Sequence, residues 1–374
     1  MRITFISPSL ACGGAERCLT LLTPGFMSRG HSVSVITLYG SDSDFYRLPE
    51  GANRIALGID KISPTVLHGL WHNLGRLRIL RRAIKSTRPN IVISHLHRTN
   101  VMTILAVGRS AVPVVVIEHN DPGMNPGGKI WDALRRKTYP RANQLVSVSR
   151  GVDSHFRWLS EKQRTVIYNP LATMEGGAIP NHLPTKMEGR KWITAMGRLT
   201  AQKGFDLLLS AFRPVADRHP DWGLMIIGEG ELRGELEDLS ETLGLVQRVS
   251  FAGLLSDPLP VLRRSDLFVM ASRFEGFPYV ALEALACGLP VIYTDCPSGP
   301  SEIIREGIDG LLVPNGDVAA LGAAMGRLMG DTTERKRLAA RAPEVLERFG
   351  LEKIIDQWET LFASIVKDRQ DLDG

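Results

Sequence analysis

Glu275 and Glu283 stand eight residues apart in Ser272-Arg273-Phe274-Glu275-Gly276-Phe277-Pro278-Tyr279-Val280-Ala281-Leu282-Glu283-Ala284. Pro278 suits the start of a helix, where its missing N–H costs nothing. Eight helical residues at about 100° each end about 80° past two full turns, so two wholly helical glutamates would not align. With Glu275 on the loop and Glu283 in the helix, both can reach one ligand. Backbone N–H groups around Gly276–Tyr279 would add an anion pocket. The plain alternative for Glu283 is a carboxylate that favours the helix dipole. A second loop, Gly197-Arg198-Leu199-x-x-x-Lys203-Gly204, can turn two cations toward one diphosphate, Arg as a fork and Lys as a point charge. A solvated basic loop would read the same. A third, Gly13-Gly14-Ala15-Glu16-Arg17, opens a helix-like stretch, where glycines allow close approach and free N–H groups favour an anion. It is not Gly-x-Gly-x-x-Gly and no acidic residue suitably ends the next strand, which disfavours a dinucleotide redox site. Two glycines serving packing alone remain open there.

Each loop follows a strand-like run. In the first half, Arg2–Ile6, Ser32–Leu38, Ile91–Ser94, Val112–Glu118 and Gln144–Val148 alternate with helical spacing at Gly13–Leu22, Pro64–Ser86, Thr99–Val107 and Ile130–Arg136. In the helix from Pro64, Leu67, Leu70, Trp71, Leu74, Leu77 and Leu80 are expected on one inward side. The second half repeats the scheme, with strands Trp192–Met196, Gly223–Ile227, Val249–Phe251, Leu267–Met270, Val291–Thr294 and Gly310–Val313, and helices Phe205–Ala216 and Glu231–Leu243. Strands separated by helices mean βαβ units and parallel sheets. Asn169 to Arg190, with Pro170, Pro180 and Pro184, has linker composition. The expected division is residues 1–170 and 171–351, both Rossmann-like, with a C-terminal helix from about 352 to 374 packing back on the first domain. Open parallel sheets bind ligands at the carboxyl ends of their strands, so the expected site is the cleft between the two.

The 374 residues exceed the roughly 250–300 at which single cores stop growing, which agrees with two domains. With 44% hydrophobic and 23% charged residues the chain is neither disordered nor fibrous. No apolar run approaches the roughly 18–20 residues of a membrane span, and Arg2–Ile6 leads straight into Ser-Pro without a secretory h-region. A soluble, cytoplasmic protein is expected. Cys12, Cys18, Cys287 and Cys296 form no Cys-x-x-Cys pair, so they read as thiols of a reducing compartment rather than a zinc or disulfide framework. The charge is uneven. Residues 1–180 hold 23 Lys and Arg against 11 Asp and Glu, net +12, and the remainder is net −7. The basic half is expected to face something anionic.

Together the motifs identify a resemblance. Glu-Gly-Phe-Pro-x-Val-x-Leu-Glu-Ala-x-Ala-x-Gly-x-Pro-Val-Ile from Glu275 resembles the signature of the retaining GT-B glycosyltransferases of family 4. Gly197-Arg198-Leu199 with Lys203-Gly204-Phe205-Asp206, the turn Ile227-Gly228-Glu229-Gly230, Tyr168-Asn169-Pro170 and Gly13-Gly14-Ala15-Glu16 are similar to that family in its order. The resemblance implies an α/β GT-B fold of two doubly wound parallel-sheet domains facing across a cleft. It implies that Arg198 and Lys203 neutralise the donor diphosphate, that Glu275 bonds donor-sugar hydroxyls, and that Glu283 bonds the nucleotide ribose. Gly13, Gly14, Gly228, Gly276, Phe277, Pro278, Tyr279 and Val280 would complete the donor site. His119 sits where the family often has a histidine reaching the transferred sugar, although a lone histidine at a strand end is otherwise structural. The resemblance further implies retention of configuration, no metal and no cofactor beyond the nucleotide sugar, with uridine the expected base. One departure stands out. Where many members carry Gly-Gly-x-x-Glu, this chain reads Asp295-Cys296-Pro297-Ser298-Gly299-Pro300-Ser301-Glu302, which keeps the acidic position at Glu302. This wording resembles transferases of bacterial surface-polysaccharide and lipid-linked glycan assembly, including those adding N-acetylgalactosamine or galactose to polyprenyl-diphosphate-linked sugars.

The partners expected are therefore a nucleotide-sugar donor and a saccharide or lipid-linked saccharide acceptor. Arg76, Arg78, Arg81, Arg82, Lys85 and Arg88 could rest on anionic lipid, each cation worth about 1 kcal/mol near such a surface. The plain alternative is a βαβ helix with solvated charges. Nucleic acid is disfavoured, since no stacking aromatics are interleaved with these cations. Two other classes share the architecture, a nucleotide-sugar epimerase and a non-catalytic nucleotide-sugar-binding partner protein. Donor epimerised or hydrolysed without acceptor would separate them from a transferase.

Overall fold

Runs of β-branched and aliphatic residues become strands buried on both faces, as parallel sheets require. The computed structural model describes residues 1–59, 66–108, 110–124, 128–172 and 190–373, the side chains of residues 43, 66–73 and 369–373 excepted. These fall into two compact units. One comprises Met1–Ala172 with Phe349–Gly374, the other Thr173–Arg348. Most of the predicted linker lies outside the described residues.

The first unit holds strands β1 (Arg2–Ser7), β2 (Ser32–Thr37), β3 (Asn53–Ala56), β4 (Ile91–His95), β5 (Val114–Glu118), β6 (Gln144–Ser147) and β7 (Arg164–Val166). They form one parallel sheet in the order β3-β2-β1-β4-β5-β6-β7. The order reverses between β1 and β4. All five residues of both β4 and β5 are buried. The helix Leu351–Asp373 returns to this unit and packs on the helix Gly14–Ser28. Trp358 and Phe362 are buried, with the Phe362 ring 5.5 Å from Phe26, and Arg29 bonds Glu352 and Asp356 at 2.8 Å each. Leu171 N–H donates to Phe349 O at 2.8 Å and Leu351 N–H to Leu171 O at 2.9 Å, which fixes the point of return.

One expectation for this unit is corrected. In the helix Val66–Ser86 the described inward anchors are Leu80 and Ile84, both buried. Leu77 is half-buried and Leu74 is 47% exposed, so the expected single stripe does not hold. At about 100° per residue Leu74 lies about 120° around the helix from Leu80, whereas Leu77 and Ile84 lie within about 60° of it. The side chains of Leu67, Leu70 and Trp71 lie outside the described residues.

The second unit holds β8 (Lys191–Met196), β9 (Trp222–Ile227), β10 (Val249–Gly253), β11 (Leu267–Met270), β12 (Val291–Asp295) and β13 (Gly310–Pro314). The sheet is parallel in the order β10-β9-β8-β11-β12-β13, reversing between β8 and β11. Its helices include Phe205–Ala216, Arg233–Thr242, Tyr279–Ala286 and Val318–Gly330. In doubly wound sheets the ligand crevice opens beyond the carboxyl ends of the strands at such a reversal. No described helix in either unit is long and apolar enough to cross a membrane.

Candidate active site

In the second unit the loops after β8 and β11 leave the sheet at its reversal and are tied together. Gly204 adopts φ 63°, and a Cβ there would stand 2.0 Å from the carbonyl oxygen of Ala271. Only glycine permits both the dihedral and the approach. Arg273 N–H donates to Gln202 O at 2.8 Å, and the Gln202 amide donates to Phe274 O at 3.0 Å. The Arg273 guanidinium forks onto Asp206 at 2.9 and 2.6 Å, and this partner holds the Asp206 carboxyl below its ordinary pKa.

Those ties bring Lys203 to Glu275. Lys203 Nζ donates to Glu275 Oε1 at 2.7 Å and Oε2 at 3.0 Å. The Lys203 stem packs beside Gly197 at the end of β8. Glu275 Oε1 also accepts from Ser272 Oγ at 2.7 Å and Tyr293 Oη at 2.9 Å. Thr294 Oγ1 fixes the Ser272 carbonyl at 2.6 Å. Glu275 is buried, so its charge is tolerated because of this pairing and these hydrogen bonds. Burial and the Glu275 charge push the Tyr293 phenol well up, and the same two causes push the Cys296 thiol up to about 12. Oε1 is saturated by three donors, whereas Oε2 keeps room for another.

Glu275 lies on the loop and Glu283 within the helix Tyr279–Ala286, as the spacing predicts, and both are buried. Pro278 is the residue before that helix, and Gly276, Phe277, Pro278 and Tyr279 are buried with Val280 half-buried. The loop after β12 closes on them. Glu275 N–H donates to Pro297 O at 3.2 Å, and Gly299 lies against Gly276 and Pro278. Ser298 takes φ 64°, a left-handed conformation at the position where the family pattern has its first glycine. Gly228, φ 138°, meets the Gly197 carbonyl so closely that a Cβ would stand 2.0 Å from it. Arg198 is exposed on the loop after β8.

In the first unit Gly13 precedes the helix Gly14–Ser28, and the buried Glu16 curls back beside it. A Cβ on Gly13 would fall 2.3 Å from Glu16 Oε2, so this glycine makes room for the chain's own carboxylate. His119 follows β5 and is buried. Its Nε2 lies 2.9 Å from His95 Nδ1, with the ring centroids 5.1 Å apart and the planes 15° from parallel. Burial pushes His119 down to about 3 and His95 well below the ordinary imidazole range. Next to them Glu118 accepts from Tyr139 Oη, lies 3.7 Å from Arg135, and is pushed up to about 7 by burial. Among the described residues no three His, Cys, Asp or Glu gather to hold a metal ion.

Sequence reasoning missed Ser272 and Tyr293 as the groups that hold Glu275, and His95 as the partner of His119. Ser272 was in view, three residues before Glu275. Tyr293 and His95 reach their partners across the sheet, where spacing carries no signal.

Residues 12–174 match the family model described as Glycosyltransferase Family 4, and residues 184–345 the one described as Glycosyl transferases group 1. Among curated relatives is a Campylobacter jejuni alpha-1,4-N-acetyl-D-galactosaminyltransferase named for GalNAc-alpha-(1->4)-GalNAc-alpha-(1->3)-diNAcBac-PP-undecaprenol. It is 28% identical over 98% of this chain and 99% of its own length. Among solved structures, sucrose-phosphate synthase from Thermosynechococcus elongatus is similar with a TM-score of 0.81 at 20% identity, covering 98% of this chain and 99% of that one. Anabaena Alr3699/HepE in complex with UDP and glucose is similar with a TM-score of 0.78 at 19% identity, covering 97% and 100%. These likenesses show the two-domain α/β fold.

Proposed function

The chain belongs to the GT-B family 4 glycosyltransferases, and on that premise we propose that it moves a hexosyl or N-acetylhexosaminyl unit from a UDP-sugar to a lipid-linked saccharide in surface-glycan assembly. The observation that carries this reading is the Lys203–Glu275 pair, 2.7 Å apart beyond the carboxyl ends of β8 and β11 where the sheet order reverses.

Breaking the donor bond leaves negative charge on a diphosphate oxygen. Lys203 donates to both oxygens of Glu275 and keeps a further N–H for that oxygen, and Arg198 on the same loop adds a forked donor. Fixed cations placed where charge develops lower the barrier without a metal ion. Glu275 Oε2, the less occupied oxygen, accepts from hydroxyls of the donor sugar. Glu283 bonds the ribose, and Gly228 and residues 276–280 line the donor. His119 meets a hydroxyl of the transferred sugar, and Gly13 and Gly14 complete the set. Glu275 is committed to Lys203, Ser272 and Tyr293, which fits hydrogen bonding to substrate better than covalent attack. Configuration is then retained by acceptor attack from the face the leaving group vacates, a diphosphate oxygen taking the proton.

Uridine is supported by the UDP named with the Anabaena structure, and the lipid-linked acceptor by the undecaprenol in the Campylobacter relative's name. Arg78, Arg81, Arg82 and Lys85 are exposed on the helix Val66–Ser86, whose described part also exposes Leu74 and Ile79. With Arg76 and Arg88 they would hold the protein to the anionic cytoplasmic face of a membrane. Thermal-shift screening of UDP-glucose, UDP-galactose and their N-acetylamino forms, followed by mass analysis of lipid-linked products, tests the reading. A hexose added to the lipid by wild type, and none by Lys203→Ala or Glu275→Ala, is expected. Wild-type turnover in either variant refutes the site. Replacing Arg78, Arg81, Arg82 and Lys85 by Gln is expected to release the protein from anionic vesicles, and unchanged co-sedimentation refutes the membrane contact.

A further inference from the structure

Three strands of the first sheet end in buried polar side chains whose hydrogen-bonding capacity is unspent. Ser7 closes β1, His95 closes β4 and His119 follows β5, and the sheet order reverses between β1 and β4. Ser7 Oγ, His95 Nε2 and His119 Nδ1 are buried and have no hydrogen-bond partner among the described residues. All three stand at the carboxyl ends of their strands, the side of a parallel sheet where ligands bind, so a polar ligand arriving there would satisfy them.

The two imidazoles add a constraint. One proton lies between His95 Nδ1 and His119 Nε2, which are 2.9 Å apart, and both rings are held neutral by burial. A neutral imidazole has one donor and one acceptor. If His95 Nδ1 donates, His119 Nδ1 must carry a hydrogen and His95 Nε2 a lone pair. If His119 Nε2 donates, both far nitrogens exchange roles. The outer nitrogens therefore always present one donor and one acceptor, and Nε2 of His119 is never open to a ligand. The Phe5 ring, 5.6 Å from His95, backs the pair from inside the sheet.

We propose that His95 is a positioning residue for the transfer: its bond to Nε2 fixes the ring of His119 and couples the protons of the two imidazoles, so that Nδ1 alone meets a hydroxyl of the transferred sugar. This rests on the placement of His119 at that sugar. His95 itself touches no reacting atom, and its effect reaches the sugar only through His119.

The test is a double-mutant cycle with a spectroscopic readout. His95→Phe keeps a ring against Phe5 and removes the hydrogen bond, whereas His95→Asn keeps a polar group where Nδ1 lies. Transfer kinetics use whichever of the four UDP-hexoses turns over with wild type. His95→Phe is expected to lower kcat by roughly 10–100-fold, the size of loss seen when the partner that orients a metal-bound imidazole is removed, with the donor KM little changed. His95→Asn is expected to recover most of that loss. His95→Phe added to His119→Ala is expected to cost nothing further, because the residue through which it acts is gone. In ligand-free protein labelled with 15N-histidine, His95 and His119 are expected to be neutral with complementary tautomer populations in wild type, and the His119 population is expected to shift in His95→Phe. Losses that multiply in the double variant, or a His119 tautomer indifferent to His95→Phe, overturn the proposal. Full transfer by His119→Ala instead overturns the placement of His119 and with it the premise.

Discussion

A buried carboxylate survives only while its partners do, and this makes the Lys203–Glu275 pair testable without any substrate. Lys203→Ala leaves Glu275 buried and charged without its cation, which is expected to cost about 3–5 kcal/mol of stability as well as activity. Adding Glu275→Gln removes the stranded charge while keeping acceptors for Ser272 and Tyr293. The double variant is therefore expected to unfold at higher urea than Lys203→Ala alone, still without transfer. A lower midpoint for the double variant would show that the carboxylate is not held by Lys203. Glu118 gives a second test with a sign. Burial raises its carboxyl from 4.5 to about 7, so the folded protein keeps this proton to higher pH than the unfolded chain does. The stability this confers is complete below the unfolded value and is lost as pH rises through about 7. Glu118→Gln cannot ionise, so its urea midpoint relative to wild type is expected to rise across that window and then level off. A constant difference would contradict the buried, protonatable state.

At the scale of elements, the loop after β12 carries a backbone cost. A non-glycine residue in the left-handed region gives up about 1 kcal/mol, and Ser298 at φ 64° does so beside Gly299 at φ 103°. Ser298→Gly is expected to raise the melting temperature by a few degrees with transfer intact, and an unchanged or lower value would mean that contacts of the Ser298 side chain outweigh the strain. The same scale explains what sequence reading could reach. Buried strands such as Leu267–Met270 and the helix Phe205–Ala216 were legible to the residue, because a parallel sheet writes its core as short apolar runs. Asn53–Ala56 and Arg164–Val166 were not, since edge strands of four and three residues with exposed or half-buried side chains have no such run. Glu275, Lys203 and the Pro278 helix start could be read because local spacing places them. The hands that hold them could not. Tyr293 comes from the next strand, and His95 lies 24 residues from His119. Contact across a sheet depends on register and facing, which no local pattern records.

At the scale of the molecule, charge and connectivity divide differently. The basic excess lies within residues 1–180, yet the first unit closes with the acidic-studded helix from Leu351, where Glu352, Asp356 and Glu359 answer Arg29 and His31. The helix is held mainly by its apolar face. Trp358→Ala should cost about 3–5 kcal/mol, as deletion of a fully buried aromatic does. A first unit that loses structure before the second in hydrogen exchange is the expected sign, and uniform loss across both would argue that they unfold as one.

That returning helix also imposes an order of events during synthesis. The second unit is contiguous in sequence and has all its residues on hand by Arg348, whereas the first, begun earlier, still lacks Trp358 and Phe362 to cover Phe26. A nascent chain therefore carries an uncovered apolar seam through the emergence of more than a hundred and fifty later residues (173–348). Premature termination just past Arg348 would release a chain whose later-made half is sound and whose earlier-made half is sticky.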